Sequence, residues 1–199
     1  TAYEISLGLV GSEMCIRDSL YNEVSKLIGL TGEEIVYDLY CGTGTIGLFI
    51  ADKAKEVYGF EVIRSALDDA EKNADLNNIE NVQFLKANLD TFFKSGQLPN
   101  RIPKPDIIIV DPPRAGMHPD MAQYLPKLKA KKIIYVSCNP TTQARDAKIL
   151  CEKGYELKKS VMVDMFPHTP HIETVVLFSK FFLTLLGLSF DPGPQLRLL

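Results

Sequence analysis

From Ile35 onward, short apolar runs take turns with longer stretches in which apolar residues return every three or four positions. A run of four to eight β-branched and aromatic residues reads as a strand, and the longer period reads as a helix laid over it. The strands read in this way are IVYDLY at 35–40, EVYGF at 56–60, VQFLK at 82–86, DIIIV at 106–110, KIIYVS at 132–137, a sixth near 157–163, and IETVVLF at 172–178. Helices are predicted over 46–53, 63–77, 118–129 and 141–152. Strands this rich in Ile and Val are buried on both faces, so the pattern predicts an α/β chain, doubly wound around a mostly parallel seven-stranded sheet. The last two strands are joined by a loop with two prolines at 164–171 rather than by a helix, which predicts that the final strand runs antiparallel.

Ahead of the first strand, Tyr21, Val24, Leu27 and Ile28 recur at helical spacing and predict one more packing helix. Residues 1–19 show no usable period and the chain starts at Thr, so they are expected to be a non-native or disordered leader of a fragment. Residues 20–180 are expected to form the domain, and the apolar stretch 181–199 a disordered or foreign tail. A length of 199 residues suits a single core, and a monomer is the expectation.

Composition narrows the function classes. The four cysteines, Cys15, Cys41, Cys138 and Cys151, lie far apart, which argues against a zinc knuckle, a redox pair or a disulfide framework and for a reducing cytoplasm. No run reaches the roughly 18 apolar residues of a membrane span. A net charge of -3 gives no global attraction to nucleic acid, and the local cluster Lys127, Lys129, Lys131 and Lys132 reads more readily as a solvated helix end than as an RNA-facing patch.

DLYCGTGTIG, Asp38 to Gly47, sets Gly42, Gly44 and Gly47 between a strand and a helix, where glycine permits a tight turn and close approach of backbone to ligand. NAD, FAD and S-adenosylmethionine sites share such turns. Glu61, at the end of the second strand, suits ribose hydroxyls in either NAD or S-adenosylmethionine. Asp38 divides the two: its charge is compensated beside a cationic amino-acid moiety and repelled beside a pyrophosphate. A role in hydrogen-bonding the turn amides is the plainer alternative. Asn88 and Asp90, after the third strand, are placed to bracket an adenine or to cap a loop.

Three further loops carry reaction chemistry. DPPRAG, Asp111 to Gly116, leaves the fourth strand with two prolines that hold Asp111 stiffly, while Arg114 suits a phosphate or a base edge. SCNP, Ser137 to Pro140, puts Cys138 past the fifth strand among polar, turn-forming neighbours where nucleophilic use is credible. Glu173 opens the last strand among Ile, Thr and Val, where a carboxylate needs a partner or a function. His168 and His171 lack a convincing ligand set, and no metal is expected.

Taken together, DLYCGTGTIG, DPPRAG, VSCNP and HIETVVLF resemble the RNA (uracil-5-)-methyltransferase family over about Tyr21 to Lys180. The resemblance implies a Rossmann-like methyltransferase fold, S-adenosyl-L-methionine as cofactor and ribosomal or transfer RNA as partner. It implies that Cys138 attacks C6 of a flipped uridine, that Glu173 removes the C5 proton and that Asp111 lies beside the base. The implied cofactor set is Asp38, Tyr40, Gly42, Gly44, Glu61, Asn88 and Asp111, with Arg114 and Asn139 on the substrate side. The family's N-terminal β-barrel, central insertion, iron-sulfur cysteines and Phe-Gln-x-Asn segment have no counterpart here, and Asn88 stands where an aspartate is usual. Two alternatives stay open: an amino-group methyltransferase acting on adenine, against which Arg114 stands where an aromatic residue is common, and a truncated domain that binds cofactor or a partner without turnover.

Overall fold

The computed structural model describes residues 12–92, 102–165 and 172–181. In chain order these form α1 (Ser12–Ile28), β1 (Ile35–Leu39), α2 (Thr45–Ile50), β2 (Glu56–Glu61), α3 (Arg64–Leu76), β3 (Val82–Lys86), a single turn α4 (Leu89–Phe92), β4 (Ile107–Val110), α5 (Pro119–Tyr124), β5 (Lys132–Ser137), α6 (Pro140–Glu152), β6 (Tyr155–Val163) and β7 (Glu173–Lys180). The strands make one seven-stranded sheet in the order β3-β2-β1-β4-β5-β7-β6. β1 to β5 are parallel, and β7 is inserted antiparallel between β5 and β6. This is the doubly wound arrangement with the last strand reversed that the pattern predicts.

The differences have local causes. α1 begins at Ser12, inside the tract expected to be a leader. The helix expected over 118–129 stops at Tyr124 and tightens into a 3-10 turn over Leu125–Leu128. Pro126 explains this change, because it has no N–H for an α-helical bond and its ring crowds the preceding turn. α2 likewise ends at Ile50 and passes into a 3-10 turn over Ala51–Lys53. The expected tail from 182 onward and the leader before Ser12 lie outside the described residues.

Two apolar layers sandwich the sheet. On one face Tyr37, Phe60, Ile108, Tyr135 and Phe178 pack under α5 and α6 with Met121, Ala122 and Leu150. On the other, Val36, Val57, Ile109, Val136 and Val175 meet Leu20, Val24 and Ile28 of α1 and Ile46 and Ile50 of α2. Successive strand residues point to opposite faces. Counting in twos from the second set leads from Val36 to Asp38, Val57 to Glu61, Ile109 to Asp111, Val136 to Cys138 and Val175 to Glu173. Because β7 is reversed, its first residue lies at the carboxyl edge of the parallel strands. The strand period therefore sets Asp38, Glu61 and Glu173 on one face, and Asp111 and Cys138 follow directly from the ends of β4 and β5 at the same edge.

Candidate functional site

The turn after β1 is built for close approach. Tyr40 (φ 62), Gly42 (φ 54) and Gly44 (φ 80) all take left-handed backbone, and the Gly44 N–H donates to the Cys41 carbonyl at 2.8 Å. A methyl group on Gly44 would stand 2.7 Å from the Phe84 ring, so the turn closes onto β3 only without a side chain. Gly47 serves Asp38 directly. Its N–H donates to Asp38 Oδ2 at 2.9 Å, and a Cβ there would meet the same oxygen at 2.9 Å.

Asp38 is 1% exposed, and its other oxygen, Oδ1, has no hydrogen-bond partner among the described residues. Burial pushes its pKa up to about 7; the Gly47 N–H opposes the rise and the charge of Asp111 adds to it. A buried carboxylate with one unmet oxygen is costly, so this position is matched to a cation or a donor brought from outside the chain.

Glu61 is already engaged. Its Oε2 accepts from Gly42 N at 3.1 Å and its Oε1 from Val62 N at 2.7 Å and Ile63 N at 3.0 Å, which ties the glycine turn to the start of α3. Carboxylate oxygens offer about four lone-pair sites, so some accepting capacity remains. Between this acid and Asp111 lies a cleft of about 590 Å³ whose walls include Tyr40, Asn88 and Pro112 and the apolar Val62, Ile63 and Leu89. The volume suits a nucleoside-sized ligand. Val62 and Ile63, 49% and 56% exposed, were missed in the sequence, where they fall between the end of the second strand and the start of the next helix with no pattern to mark them. The side chain of Asp90 is not among those described.

Asp111 extends the β4 ladder by one bond, its N–H donating to the Leu39 carbonyl at 3.3 Å. Its pKa is raised to about 7, first by burial and then by the charge of Glu173. Open surface toward the cleft coexists with protein crowding its other sides, and water on the open side softens the upward push.

The loop that follows Asp111 is tied to α6. Asp146, fully buried, accepts from Met117 N and Tyr135 OH at 2.8 Å and pairs with Arg145, which in turn donates to the Ala115 and Met117 carbonyls. Asn139 caps α6 by accepting from Thr141 N at 3.1 Å, and its amide donates to the Arg114 carbonyl at 3.0 Å. The side chain of Asn139 thus joins the Asp111 and Cys138 loops, while that of Arg114 is exposed.

Cys138 and Glu173 are half-buried; Cys138 follows and Glu173 precedes the paired residues Ser137 and Thr174 that end the antiparallel β5–β7 ladder. The cleft walls hold Tyr40, Glu61, Asn88 and Asp111 of the expected set but not Cys138 or Glu173, which lie one and two strands beyond Asp111 on the same edge. Gln143 and Asp146 were also missed. They stand three apart on the buried stripe of α6 that continues to Leu150, and polar residues on an apolar stripe were the available signal. Among the described residues no group of three or more His, Cys, Asp or Glu side chains can hold a metal, and no helix is long and apolar enough to cross a membrane. His168 and His171 lie outside the described residues.

A reversed last strand in a doubly wound sheet, a glycine turn after β1 and an acid ending β2 define the class of Rossmann-like methyltransferases. Within that class, residues 27–181 match the family described as tRNA (Uracil-5-)-methyltransferase, and this chain belongs to that family. An uncharacterized RNA methyltransferase of Chlorobaculum tepidum is 47% identical over 163 residues, which span 82% of this chain and 34% of that protein. One from Enterococcus faecalis is 49% identical over 161 residues, 81% of this chain and 35% of the relative. The chain thus spans about a third of the length of these relatives. Among solved structures, the Pyrococcus abyssi tRNA (uracil-54, C5)-methyltransferase in complex with S-adenosyl-L-homocysteine aligns with a TM-score of 0.69 at 37% identity, covering 87% of this chain and 40% of that one. Magnesium protoporphyrin IX methyltransferase from Synechocystis aligns with a TM-score of 0.67 at 17% identity over 88% of this chain and 87% of that one, a likeness of fold alone.

Proposed function

We propose that this domain binds S-adenosylmethionine and methylates C5 of a uridine in ribosomal or transfer RNA through a covalent bond to Cys138. The observation that carries the reading is one sheet edge holding Asp38, with its unmet buried oxygen beside the glycine turn, and Cys138 and Glu173, each next in chain to a member of the last β5–β7 pair, Ser137 and Thr174. When bound, S-adenosylmethionine supplies an electrophilic methyl group on a sulfonium. Asp38 meets its cationic amino-acid end, Glu61 has accepting capacity left for ribose hydroxyls, and Val62 and Ile63 offer apolar contact to the adenine.

Uracil C5 is a weak nucleophile. Addition of the Cys138 thiolate to C6 breaks the C5–C6 π bond and moves its electron pair toward C5, which would take the methyl group as the methyl–sulfur bond breaks and its pair stays on sulfur as a neutral thioether. Glu173 next removes the C5 proton, and the electrons of that C–H bond re-form the double bond as Cys138 leaves C6. The base must swing out of its stack to reach this edge. Asp111, on the cleft wall and on the strand next to that of Cys138, would contact the base.

Calorimetric titration of the chain with S-adenosylmethionine and with NAD tests the cofactor half: the former is expected to bind more tightly, and the reverse order overturns it. Built into the longer framework of its relatives and given RNA with a radiolabelled methyl donor, Cys138→Ala is expected to form neither product nor adduct. Glu173→Gln is expected to accumulate a labelled protein–RNA band that needs Cys138. Methylation that survives Cys138→Ala would remove the nucleophile from the scheme.

A further inference from the structure

We propose that Thr174 and Gln143 are positioning residues that hold the Cys138 loop and Glu173 in fixed relation, an inference that rests on the reading of those two residues as nucleophile and base. On the β5 side the ladder ends at the pair Ser137 and Thr174, so Cys138 lies past its last backbone pairing with β7, while Glu173 is paired only on its other side, with Val163 of β6. The ends of strands fray unless something braces them. Here the brace is made of buried side chains. Thr174 Oγ1 stands 3.0 Å from the Ser137 carbonyl and 2.7 Å from Gln143 Oε1, so its one proton is shared between two acceptors. Gln143 Nε2 reaches the Tyr135 carbonyl at 3.0 Å and the Thr174 carbonyl at 3.4 Å.

Ser137, Thr174 and Gln143 are 2%, 5% and 5% exposed, so water does not compete for these bonds. The Ser137 hydroxyl accepts from Asn139 N at 3.0 Å and closes the turn that carries Cys138. Each anchored residue is the immediate chain neighbour of a reacting one: Ser137 precedes Cys138 and Thr174 follows Glu173. An apolar pair at these sites would fill the same space, yet it would leave the two loops joined by packing alone. Three polar groups in the dry interior are retained at a place where relative position matters for two successive steps at adjacent ring carbons.

The test needs no RNA. At one pH the alkylation rate of Cys138 is measured by mass spectrometry with anionic iodoacetate and neutral iodoacetamide, with exposed Cys151 as internal standard. The ratio of the two rates cancels thiol ionisation and reports the negative field at Cys138. Glu173→Gln is expected to raise that ratio about threefold, at the low end of measured pairwise couplings. In a Thr174→Val background the same change is expected to do little, whereas Thr174→Ser restores the full effect. An unchanged threefold effect in Thr174→Val, or no effect of Glu173→Gln in the parent, overturns the proposal.

Buried Cys41 reports folding, since it should resist both reagents in every variant. Should Thr174→Val expose it, Gln143→Met, which keeps bulk and the Thr174–Ser137 bond, decides: a weakened coupling supports the brace and a full one overturns it. Methyl transfer that survives Cys138→Ala would sink the proposed function and leave this coupling as measured, so the two failures are distinct.

Discussion

Replacing Asp38 by Asn should stabilise the ligand-free protein above neutral pH while removing its grip on a cationic ligand. The folded pKa of Asp38 is about 7 against an ordinary 3.8. Below 3.8 the acid is protonated in both states and its elevation costs nothing. As pH rises, the unfolded chain ionises first, so stability falls through the window up to about 7 and the loss is complete above it. At about 1.4 kcal/mol per pKa unit, the loss reaches roughly 4 kcal/mol at pH 8 and under half that at pH 5.

Asn brings its own fixed cost, an amide N–H₂ without an acceptor, of about 1 to 3 kcal/mol. That cost is the same at both pH values and cancels in the difference between them. Relative to the parent, Asp38→Asn should therefore gain about 2 to 3 kcal/mol between pH 5 and pH 8, or roughly 5 to 10 °C in midpoint for a chain this size. Thermal unfolding of both proteins at the two pH values, without ligand, measures it. Calorimetry with S-adenosylmethionine at pH 8 should show weaker binding by the variant despite its greater stability. A stability difference that does not change with pH would refute the assignment of an unpaired, buried charge to Asp38.

Two other changes probe the frame of the site. Gly44→Ala places a methyl group 2.7 Å from the Phe84 ring at a residue with φ 80, and should cost about 2 to 4 kcal/mol in urea unfolding along with the affinity for the cofactor; a loss under 1 kcal/mol would show that the turn relaxes freely. Asp146→Ala strips the acceptor from Met117 N, Tyr135 OH and Arg145, and should cost about 3 to 5 kcal/mol while loosening the Asp111 loop, seen as faster amide exchange over 112–117. Unchanged exchange there would separate Asp146 from that loop.

The sequence alone determined the layering, the seven strands and the reversal of the last one, because burial on both faces leaves a continuous apolar run and a helix-free connection leaves no crossover. It also determined which residues reach the edge, since period two fixes the face of Asp38, Asp111 and Glu173 once their strands are placed. Tertiary structure decided what each of them meets. The one met oxygen of Asp38 depends on a glycine nine residues away, the three N–H donors on Glu61 come from two separate segments, and Asn139 turned out to clasp the Arg114 carbonyl across 25 residues of chain. Gln143, Asp146 and Thr174 were passed over in sequence, because local patterning records only that a side chain is polar. Whether its hydrogen bonds are satisfied depends on strands and loops that are distant in sequence and meet only when the sheet has closed.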